Sequence, residues 1–197
     1  MLNNLWSNYD DNKNNRCNYS RCGVGLAHSL AAAKKGLKVT VFDRHPQPIG
    51  ASIRNFGMVW PIGQPEGKLR DRALVSRSIW LEVAPKAGFA VDPCGSLHLA
   101  YREDELAVIE EFVRANNSSE VALLSPEEAR EKSPAVITEG LLGALWSSTE
   151  VIVDPREAIA KLPDFLAREY GVEFRFNTAV TDIKLPQILA GTETWEA

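Results

Sequence analysis

The sequence predicts an α/β protein, α+β overall, because helical and strand patterns alternate along most of its 197 residues. Three stretches carry this prediction. Between Gly23 and Asp43, a helical pattern, a glycine and a buried strand pattern follow one another and end in an acid. Residues 91–147 alternate short strand patterns with helical ones, and residues 154–176 repeat the order of helix and then strand.

The first helix is predicted over residues 25–35. Apolar residues recur there at helical spacing, two lysines near the end suit the negative end of the helix dipole, and Gly36 provides a stop. Residues 37–42 alternate and then become wholly apolar, which predicts a buried strand that leaves the core at Asp43. Residues 46–65 are rich in proline and glycine, and so long a loop inside a compact domain is usually functional.

The later elements are predicted by the same periodicities and by helix caps. Ser125 followed by a proline and two glutamates is typical of a helix start, and so is Asp154 followed by a proline. Pro163 predicts a kink in the helix that begins after Asp154, and Gly171 ends that helix. The remaining predictions are a helix over 67–86, a strand over 91–101, a helix over 103–115, a strand over 141–147, a strand over 172–176 and the start of a hairpin near residue 185.

Residues 1–22 differ from the rest of the chain. They contain seven asparagines and hardly an aliphatic residue after Leu5, so they bury too little apolar surface to offset the entropy of ordering. We therefore expect a disordered or aberrant N-terminal segment that supplies no buried first strand. Because the composition changes abruptly at Gly23, one hypothesis is a reading frame disturbed upstream of that residue. Translation of the upstream DNA in the other two frames tests it.

Charge and composition exclude several classes of partner. Lys and Arg number 22 and Asp and Glu 26, which gives a net charge of −4, and 45% of the residues are hydrophobic. These values are ordinary for a globular protein of one domain or two partial ones. No block of five or more basic residues occurs, so neither nucleic acid nor an anionic membrane is an expected partner.

The expected location is the cytoplasm. No stretch approaches the roughly 18 consecutive apolar residues of a membrane helix, and the N-terminus lacks the features of a secretory signal. The three cysteines, Cys17, Cys22 and Cys94, are odd in number and lack metal-binding spacing. We therefore expect a soluble protein with neither a disulfide framework nor a metal site.

The strongest motif is the end of a dinucleotide-binding fingerprint. In such a βαβ unit a turn G-x-G-x-x-G opens a helix that faces a pyrophosphate, and an acid about 20 residues later accepts hydrogen bonds from the ribose hydroxyls. Gly25 fits the last glycine, and Asp43 follows at about the required distance. Cys22 and Ser20 stand where the first two glycines belong, although Gly23 serves as the second if one residue is deleted. An ordinary surface helix and strand remains the alternative.

The segment after Asp43 resembles a known family. Residues 50–61 read GASIRNFGMVWP, and they are similar to the segment after the second strand in FAD-dependent amine oxidoreductases of the D-amino-acid oxidase and glycine oxidase superfamily. The resemblance covers residues 23–195. Within the superfamily, the sequence of residues 54–61 looks most like a bacterial subgroup linked to aminophosphonate breakdown. It implies a Rossmann-like FAD-binding domain, incomplete here, with part of an antiparallel-sheet substrate domain inserted.

The resemblance also implies domain limits and cofactor contacts. Residues 23–62 and 150–197 would form the FAD-binding domain, and residues 63–149 the partial substrate domain. The implied cofactor-binding residues are Gly23 and Gly25 at the pyrophosphate, Asp43 at the adenosine ribose with Arg44 beside it, Ser52, Arg54, Asn55, Gly57 and Met58 along the pyrophosphate and flavin ring, and Val180 with its backbone at the adenine. Among the charges Arg54 has the strongest claim, because a guanidinium in a glycine-rich loop suits a diphosphate.

The implied activity is oxidation of the C–N bond of an amine or amino acid by hydride transfer to FAD, with a small-molecule amine as substrate. No catalytic residue is assigned. The family continues for roughly as long again, so the chain resembles an N-terminal half and is expected to be inactive as it stands. A truncated remnant that binds no flavin is the alternative. A NAD-dependent Rossmann dehydrogenase is less favoured, because the long loop 46–65 suits a flavin ring better than the short turn of that fold.

Three histidines and two tryptophans are weaker candidates. His28 is favoured as a packed or half-exposed helix residue, and His45 suits a solvated loop at least as well as a contact to adenosine. His98 faces either substrate or solvent on its alternating strand, and both interpretations stay open. Trp60 and Trp80 are compatible with stacking on a flavin, although large aromatic residues are more often part of a core.

Overall fold

The computed structural model describes residues 16–20, 23–47, 49–116 and 118–196. Within these ranges the helices are α1 (Gly23–Ala33), α2 (Lys68–Ala87), α3 (Glu103–Ala115), α4 (Pro126–Lys132) and α5 (Pro155–Tyr170). The strands are β1 (Arg16–Ser20), β2 (Lys38–Phe42), β3 (Met58–Val59), β4 (Val91–Asp92), β5 (Ser96–Ala100), β6 (Val121–Leu124), β7 (Gly143–Ser147), β8 (Val151–Val153), β9 (Glu173–Arg175), β10 (Val180–Lys184), β11 (Gln187–Ala190) and β12 (Glu193–Glu196). Short 3₁₀ turns occur at Ala51–Ile53 and Pro61–Gly63.

The chain divides into two compact units. The first unit comprises Met1–Phe56, Lys86–Gly88 and Pro155–Ala197, and the second comprises Gly57–Pro85 and Phe89–Asp154. Each described sheet lies within one unit, so neither unit takes a strand from the other. In the ranges given above, no helix is both long and apolar enough to cross a membrane.

A parallel sheet of order β1-β2-β9 forms the base of the first unit. β1 pairs with all five residues of β2, and β9 pairs with the last three. The residues of β2 from Val39 to Phe42 are all buried, as expected for a parallel sheet that is covered on its faces. Helix α1 packs against β1 and β2 and also against α5. The apolar side of α1, which includes Leu26 and Leu30, is consequently buried.

Strand β1 corrects the expectation for residues 1–22. We expected no first strand there, and this is wrong for Arg16–Ser20, which pairs in parallel with Lys38–Phe42. Backbone groups make the ladder, and β1 lies at the edge of the three described strands, where a continuous apolar run is not required. Because the strand is present, a missing strand no longer supports the hypothesis of a disturbed reading frame. Residues 1–15 and 21–22, including Cys22, lie outside the described residues.

Helix α1 ends at the predicted glycine, although its range lies slightly N-terminal of the predicted one. The N–H of Gly36 donates to the carbonyl of Ala33, and the N–H of Leu37 donates to the carbonyl of Ala32. Gly36 has a φ of +79°, a left-handed conformation that residues with a Cβ rarely adopt. This arrangement resembles a Schellman end, which satisfies carbonyls that the last turn of a helix leaves open.

Helix α5 and the last strands complete the first unit. α5 continues through Pro163, which is buried, so the predicted kink does not interrupt the helix. The predicted hairpin is confirmed as part of an antiparallel sheet of order β10-β11-β12. Trp195 of β12 meets Phe42 of β2 edge to face, with ring centroids 5.2 Å apart. This aromatic contact connects the last sheet to the parallel one.

The second unit contains antiparallel sheets of order β3-β8-β4 and β5-β7-β6. Both faces of the sheet β5-β7-β6 carry apolar side chains of the core. Leu145 of β7 packs in a cluster with Ile109 of α3, and the adjacent Ala144 packs in another cluster with Ala129 of α4. Because neighbouring residues of a strand point to opposite faces, α3 and α4 contribute to the cores on opposite sides of this sheet.

The predicted start of α4 is confirmed by a capping box. Oγ of Ser125 accepts a hydrogen bond from the N–H of Glu128 at 3.2 Å, and the carboxylate of Glu128 accepts one from the N–H of Ser125 at 2.7 Å. The bond from the N–H of Ser125 to the carboxylate is the largest cause that lowers the pKa of Glu128. Pro126 follows the cap, where its missing N–H costs no helical hydrogen bond.

Candidate functional site

The N-terminus of α1 lies beside the loop that carries Ser52. The N–H of Gly23 donates a hydrogen bond to Oγ of Ser52 at 2.9 Å. A methyl group placed on Gly23 would meet this Oγ at 3.7 Å and Cδ1 of Ile159 at 3.9 Å, which are ordinary contact distances. The first turn of α1 contains no acidic residue. Because the N–H groups at a helix start carry partial positive charge, this end favours an anion.

Gly25 lies in the first turn of α1 and is buried. Its carbonyl accepts a hydrogen bond from Oγ of Ser29 at 2.8 Å, and both Ser29 and the neighbouring Leu26 are almost fully buried. The start of α1 therefore packs closely on the sheet formed by β1 and β2. A dinucleotide-binding fingerprint uses its last glycine for this close approach of helix and strand.

Asp43 follows β2 and is fixed by hydrogen bonds on both sides. Its N–H donates to the carbonyl of Arg175 at 3.0 Å, and its carbonyl accepts from the N–H of Thr178 at 2.9 Å. Its Oδ1 accepts from the N–H of His45 at 2.9 Å, as in an Asx turn. For Oδ2 the described residues supply no hydrogen-bond donor. The carboxylate thus keeps one oxygen for an external donor such as a hydroxyl.

The loop after Asp43 is held by local hydrogen bonds. Nδ2 of Asn55 donates to the carbonyl of Ser52 at 2.5 Å, and the N–H of Arg54 donates to the carbonyl of Ala51 at 2.9 Å. These bonds support the position from which Ser52 contacts Gly23. Arg44 and Arg54 are exposed, and neither guanidinium has an ion-pair partner in the part of the chain that the structure describes. Both therefore supply positive charge to the first unit that no described acid neutralises.

The remaining predicted residues are placed in two different settings. Val180 begins β10, is partly exposed and pairs with Ala190 in the first unit. Two residues before it, Thr178 donates its backbone hydrogen bond to Asp43. Gly57 and Met58 belong to the second unit. The φ of +71° at Gly57 requires a glycine, and its carbonyl accepts a hydrogen bond from the N–H of Val153 at 2.9 Å. The side chain of Met58 is 53% exposed.

The second unit contains a buried carboxylate that no sequence motif predicts. Glu150 is 2% exposed. Its Oε1 accepts hydrogen bonds from the N–H of Ile62 at 3.0 Å and from Oγ1 of Thr149 at 2.8 Å, and its Oε2 accepts one from Oγ of Ser96 at 3.1 Å. Burial raises the pKa of Glu150, but hydrogen bonds from Ser147, Thr149, Ile62 and Ser96 together outweigh the effect, and the pKa lies below its ordinary value. Glu150 is therefore an ionised buried acceptor at neutral pH.

His98 connects to this carboxylate through Ser96. Its Nε2 lies 3.2 Å from Oγ of Ser96. Its ring stacks on Trp60, with centroids 5.9 Å apart and an angle of 15° between the planes. The sequence left open whether His98 faces substrate or solvent. The structure shows a half-buried ring held by a hydroxyl and an indole.

The other weak candidates have local partners. Nδ1 of His28 lies 2.8 Å from the carbonyl of Val24 on an exposed part of α1. His45 contributes its backbone N–H to Asp43. Trp80 meets Phe89 edge to face with centroids 6.0 Å apart. Trp80 is half-buried and packs on the buried Phe89 within the second unit.

A family model described as FAD dependent oxidoreductase, DAO, matches residues 22–196. One curated relative belongs to the anaerobic glycerol-3-phosphate dehydrogenase of Escherichia coli (strain K12). It is 29% identical over an alignment of 157 positions, which covers 76% of this chain and 27% of that protein. The chain therefore spans well under half the length of this curated relative.

Solved structures share the fold. L-proline dehydrogenase from P. horikoshii has a TM-score of 0.77 and 24% identity, over 93% of this chain and 50% of that one. Glycine oxidase from Geobacillus kaustophilus has a TM-score of 0.78 and 22% identity, over 92% and 52%. L-α-glycerophosphate oxidase from Mycoplasma pneumoniae with FAD bound has a TM-score of 0.73 and 23% identity, over 89% and 48%. The chain spans about half the length of these proteins.

Proposed function

The chain belongs to the DAO family of FAD-dependent oxidoreductases, and on that premise we propose that its first unit binds the adenosine diphosphate part of FAD. The observation that carries the proposal is the β1-α1-β2 unit, whose helix starts at Gly23 and whose second strand ends at Asp43. A helix start and an acid at the end of the next strand are the two groups that a dinucleotide requires.

The pyrophosphate fits the start of α1. Gly23 leaves room there for an oxygen anion, because a methyl group at this residue would meet its neighbours only at ordinary contact distances. Oγ of Ser52 is adjacent to the same N–H and is able to donate to a phosphate oxygen. The exposed Arg54 adds a guanidinium on the same loop, and Asn55 supports that loop. Gly25 allows the start of α1 to pack closely on the sheet formed by β1 and β2.

The adenosine fits the end of β2. We assign Oδ2 of Asp43, to which no described residue donates, to a ribose hydroxyl, with Arg44 beside it. The backbone of Val180 is assigned to the adenine, since the turn that precedes it is hydrogen-bonded to Asp43. Gly57 and Met58 are assigned to the flavin ring. These assignments follow the family resemblance of residues 50–61.

We propose that the whole protein oxidises the C–N bond of a small amine or amino acid. FAD supplies the hydride acceptor when it is bound. Support comes from relatives named for amino compounds, among them L-proline dehydrogenase, glycine oxidase and the iminodiacetate oxidase from Chelativorans sp. BNC1. Within that class the sequence of residues 54–61 favours an aminophosphonate as the substrate, because it resembles the subgroup linked to aminophosphonate breakdown. Because the chain spans about half the length of these relatives, turnover is proposed for the whole protein and FAD binding for this chain.

A second candidate substrate is a phosphorylated alcohol. It is favoured by the 29% identity to a protein named for glycerol-3-phosphate. The two candidates differ in the bond that loses the hydride, C–H beside nitrogen or C–H beside oxygen. Reduction of the flavin by glycine or 2-aminoethylphosphonate, but not by glycerol-3-phosphate, in the whole protein would support the amine.

The FAD-binding proposal is tested by mixing the purified chain with FAD, separating it by gel filtration and recording its visible absorption. Flavin absorption is expected to elute with the protein. Asp43→Asn is expected to weaken the affinity for FAD about 10-fold or more, because a hydrogen bond to a charged group contributes about 1.5–3 kcal/mol. Asp92→Asn, at the exposed end of β4 in the second unit, is the matched control.

The alternatives predict different spectra. A colourless wild-type chain would support a remnant that binds no flavin. Binding of NAD without binding of FAD would support a nicotinamide-dependent dehydrogenase. Equal affinities of the Asp43 and Asp92 variants for FAD would contradict the assignment of Asp43 to the ribose.

A further inference from the structure

A buried carboxylate, a hydroxyl and an imidazole form one hydrogen-bonded line in the second unit. Oγ of Ser96 lies within hydrogen-bond distance of both Oε2 of Glu150 and Nε2 of His98. Ser96 and His98 are two residues apart on β5, so both side chains point to one face of the sheet. The proposed contacts to FAD use none of these three residues.

The tautomer of His98 follows from which of the three groups, Glu150, Ser96 and His98, has a proton to donate. A serine hydroxyl has one proton to donate, and an ionised carboxylate has none. Since the Glu150 carboxylate is ionised, the Ser96 proton points to Oε2. Oγ of Ser96 then accepts a hydrogen bond from Nε2 of His98. In the neutral ring Nε2 therefore carries the proton, and Nδ1 carries a lone pair.

The ring of His98 is also restrained on its face. It stacks on Trp60, and Trp60 lies against Gly63, where a methyl group would come within 2.5 Å of Cε3 of the indole. Trp60 therefore has little space to move toward Gly63. Among the residues that the structure describes, none donates a hydrogen bond to Nδ1 of His98. Nδ1 is thus the acceptor that this arrangement leaves for a ligand.

We propose that Glu150 and Ser96 are positioning residues that hold His98 as the Nε2–H tautomer, so that Nδ1 accepts a hydrogen bond from the amine of a substrate. This inference rests on the proposed function, because it requires an amine as the donor. An acceptor at this place orients the N–H bonds of the amine. It thereby orients the nitrogen lone pair that must align with the C–H bond from which the hydride leaves.

The tautomer is measured in the chain itself, without flavin or substrate. The sequence contains three histidines, so long-range ¹H–¹⁵N spectra of the imidazoles are readily assigned by comparison with His98→Gln. At a pH where the ring signals are those of neutral imidazole, the wild-type chain is expected to show His98 as Nε2–H. An Nδ1–H tautomer in the wild-type chain would overturn the proposal.

Glu150→Gln gives the sharpest comparison. The amide oxygen is expected to keep the donors Ile62 and Thr149, so the amide NH₂ faces Ser96 and donates to it. The Ser96 proton then turns to His98, and the tautomer is expected to invert to Nδ1–H.

Ser96→Ala removes the relay and is expected to give a mixture of tautomers. It decides the question if Glu150→Gln does not fold. Ser78→Ala is the matched control, since this exposed hydroxyl donates to the carbonyl of Leu74 on α2, and it is expected to leave the His98 signals unchanged. A His98 tautomer that is unaffected by Ser96→Ala would overturn the role of the pair.

The contact to substrate has a separate readout. Glycine and 2-aminoethylphosphonate are titrated against the same chain, and acetate and ethylphosphonate serve as partners that lack the amino group. The ¹⁵N shift of Nδ1 is expected to respond at least several-fold more to the amines. Equal responses, or none, would overturn the contact. Because this readout needs no flavin, it stands apart from failure of FAD binding, which would overturn the proposed function instead.

Discussion

Gly23 and Ser52 are joined by a hydrogen bond of 2.9 Å between the first backbone N–H of α1 and a side-chain hydroxyl 29 residues further along the chain. A helix leaves its first N–H groups without partners within the helix, and Ser52 accepts from one of them. In the proposed complex a phosphate oxygen is a stronger acceptor for the same N–H, and the hydroxyl becomes a donor to that phosphate. One side chain thus stabilises the helix start before the cofactor binds and contacts the cofactor afterwards.

Ser52→Ala is therefore expected to lower the free energy of unfolding of the chain by about 1 kcal/mol, the usual net contribution of such a hydrogen bond. Urea denaturation measures this loss. Ser78→Ala removes a hydroxyl whose hydrogen bond lies within its own helix and is expected to change stability less. Equal losses in the two variants would show that the bond to Gly23 contributes nothing particular.

The same Ser52→Ala variant is expected to weaken FAD binding by roughly 10-fold, because the alanine offers no donor to the phosphate. Titration of the chain with FAD, followed by quenching of flavin fluorescence, measures the affinity. A variant that loses stability but keeps its full affinity for FAD would restrict Ser52 to a structural role.

Elements whose local pattern agreed with their packing were predictable from the sequence. Gly36 and the capping residues Ser125 and Glu128 act within a few positions of the chain, so a sequence window contains all of their partners. Strand β1 was not predictable, because its pairing with β2 comes from backbone groups that every residue carries. A prediction that looks for apolar residues cannot recognise a strand that is held by backbone hydrogen bonds.

The candidate site was predictable only in part for the same reason. Gly25 and Asp43 form a pattern of fixed spacing, and the motif of residues 50–61 follows directly. Glu150 belongs to no motif, since its partners Ile62 and Ser96 lie far from it in the sequence and meet it only in the folded unit. The one available signal was a lone acid directly before the apolar strand that begins at Val151.

Glu150→Ala is expected to destabilise the chain by about 3 kcal/mol. The change leaves the N–H of Ile62 and the hydroxyls of Ser96 and Thr149 without their shared acceptor in a buried place. Urea denaturation at neutral pH is the measurement. Glu139→Ala, at an exposed loop position, is the control and is expected to stay within about 0.5 kcal/mol of wild type.

The pKa of Glu150 also predicts how stability depends on pH. Folding lowers this pKa below its unfolded value of about 4.3, so the ionised carboxylate stabilises the folded chain above that pH. The contribution is lost as the pH falls from about 4.3 through the folded-state pKa. The lowered pKa of Glu128 acts in the same direction, but it is common to wild type and a Glu150→Gln variant. The difference in stability between these two proteins is therefore expected to be constant near pH 6–7 and to shrink below about pH 4. Parallel curves down to low pH would contradict this.

Gly95 and Gly88 allow backbone strain to be separated from steric overlap. Both have a positive φ, +69° and +82°, so an alanine at either residue incurs a conformational cost of about 1 kcal/mol. A methyl group at Gly88 would meet no atom within 4 Å, whereas at Gly95 it would overlap the indole of Trp146 and come within 2.6 Å of the carbonyl oxygen of Ser147. Because that carbonyl belongs to β7, relief requires the strand to shift. Gly95→Ala is therefore expected to cost about 2 kcal/mol more than Gly88→Ala in urea denaturation. Similar losses in the two variants would mean that β7 moves aside without cost, and that the close approach of Gly95 to Trp146 does not fix the position of the strand.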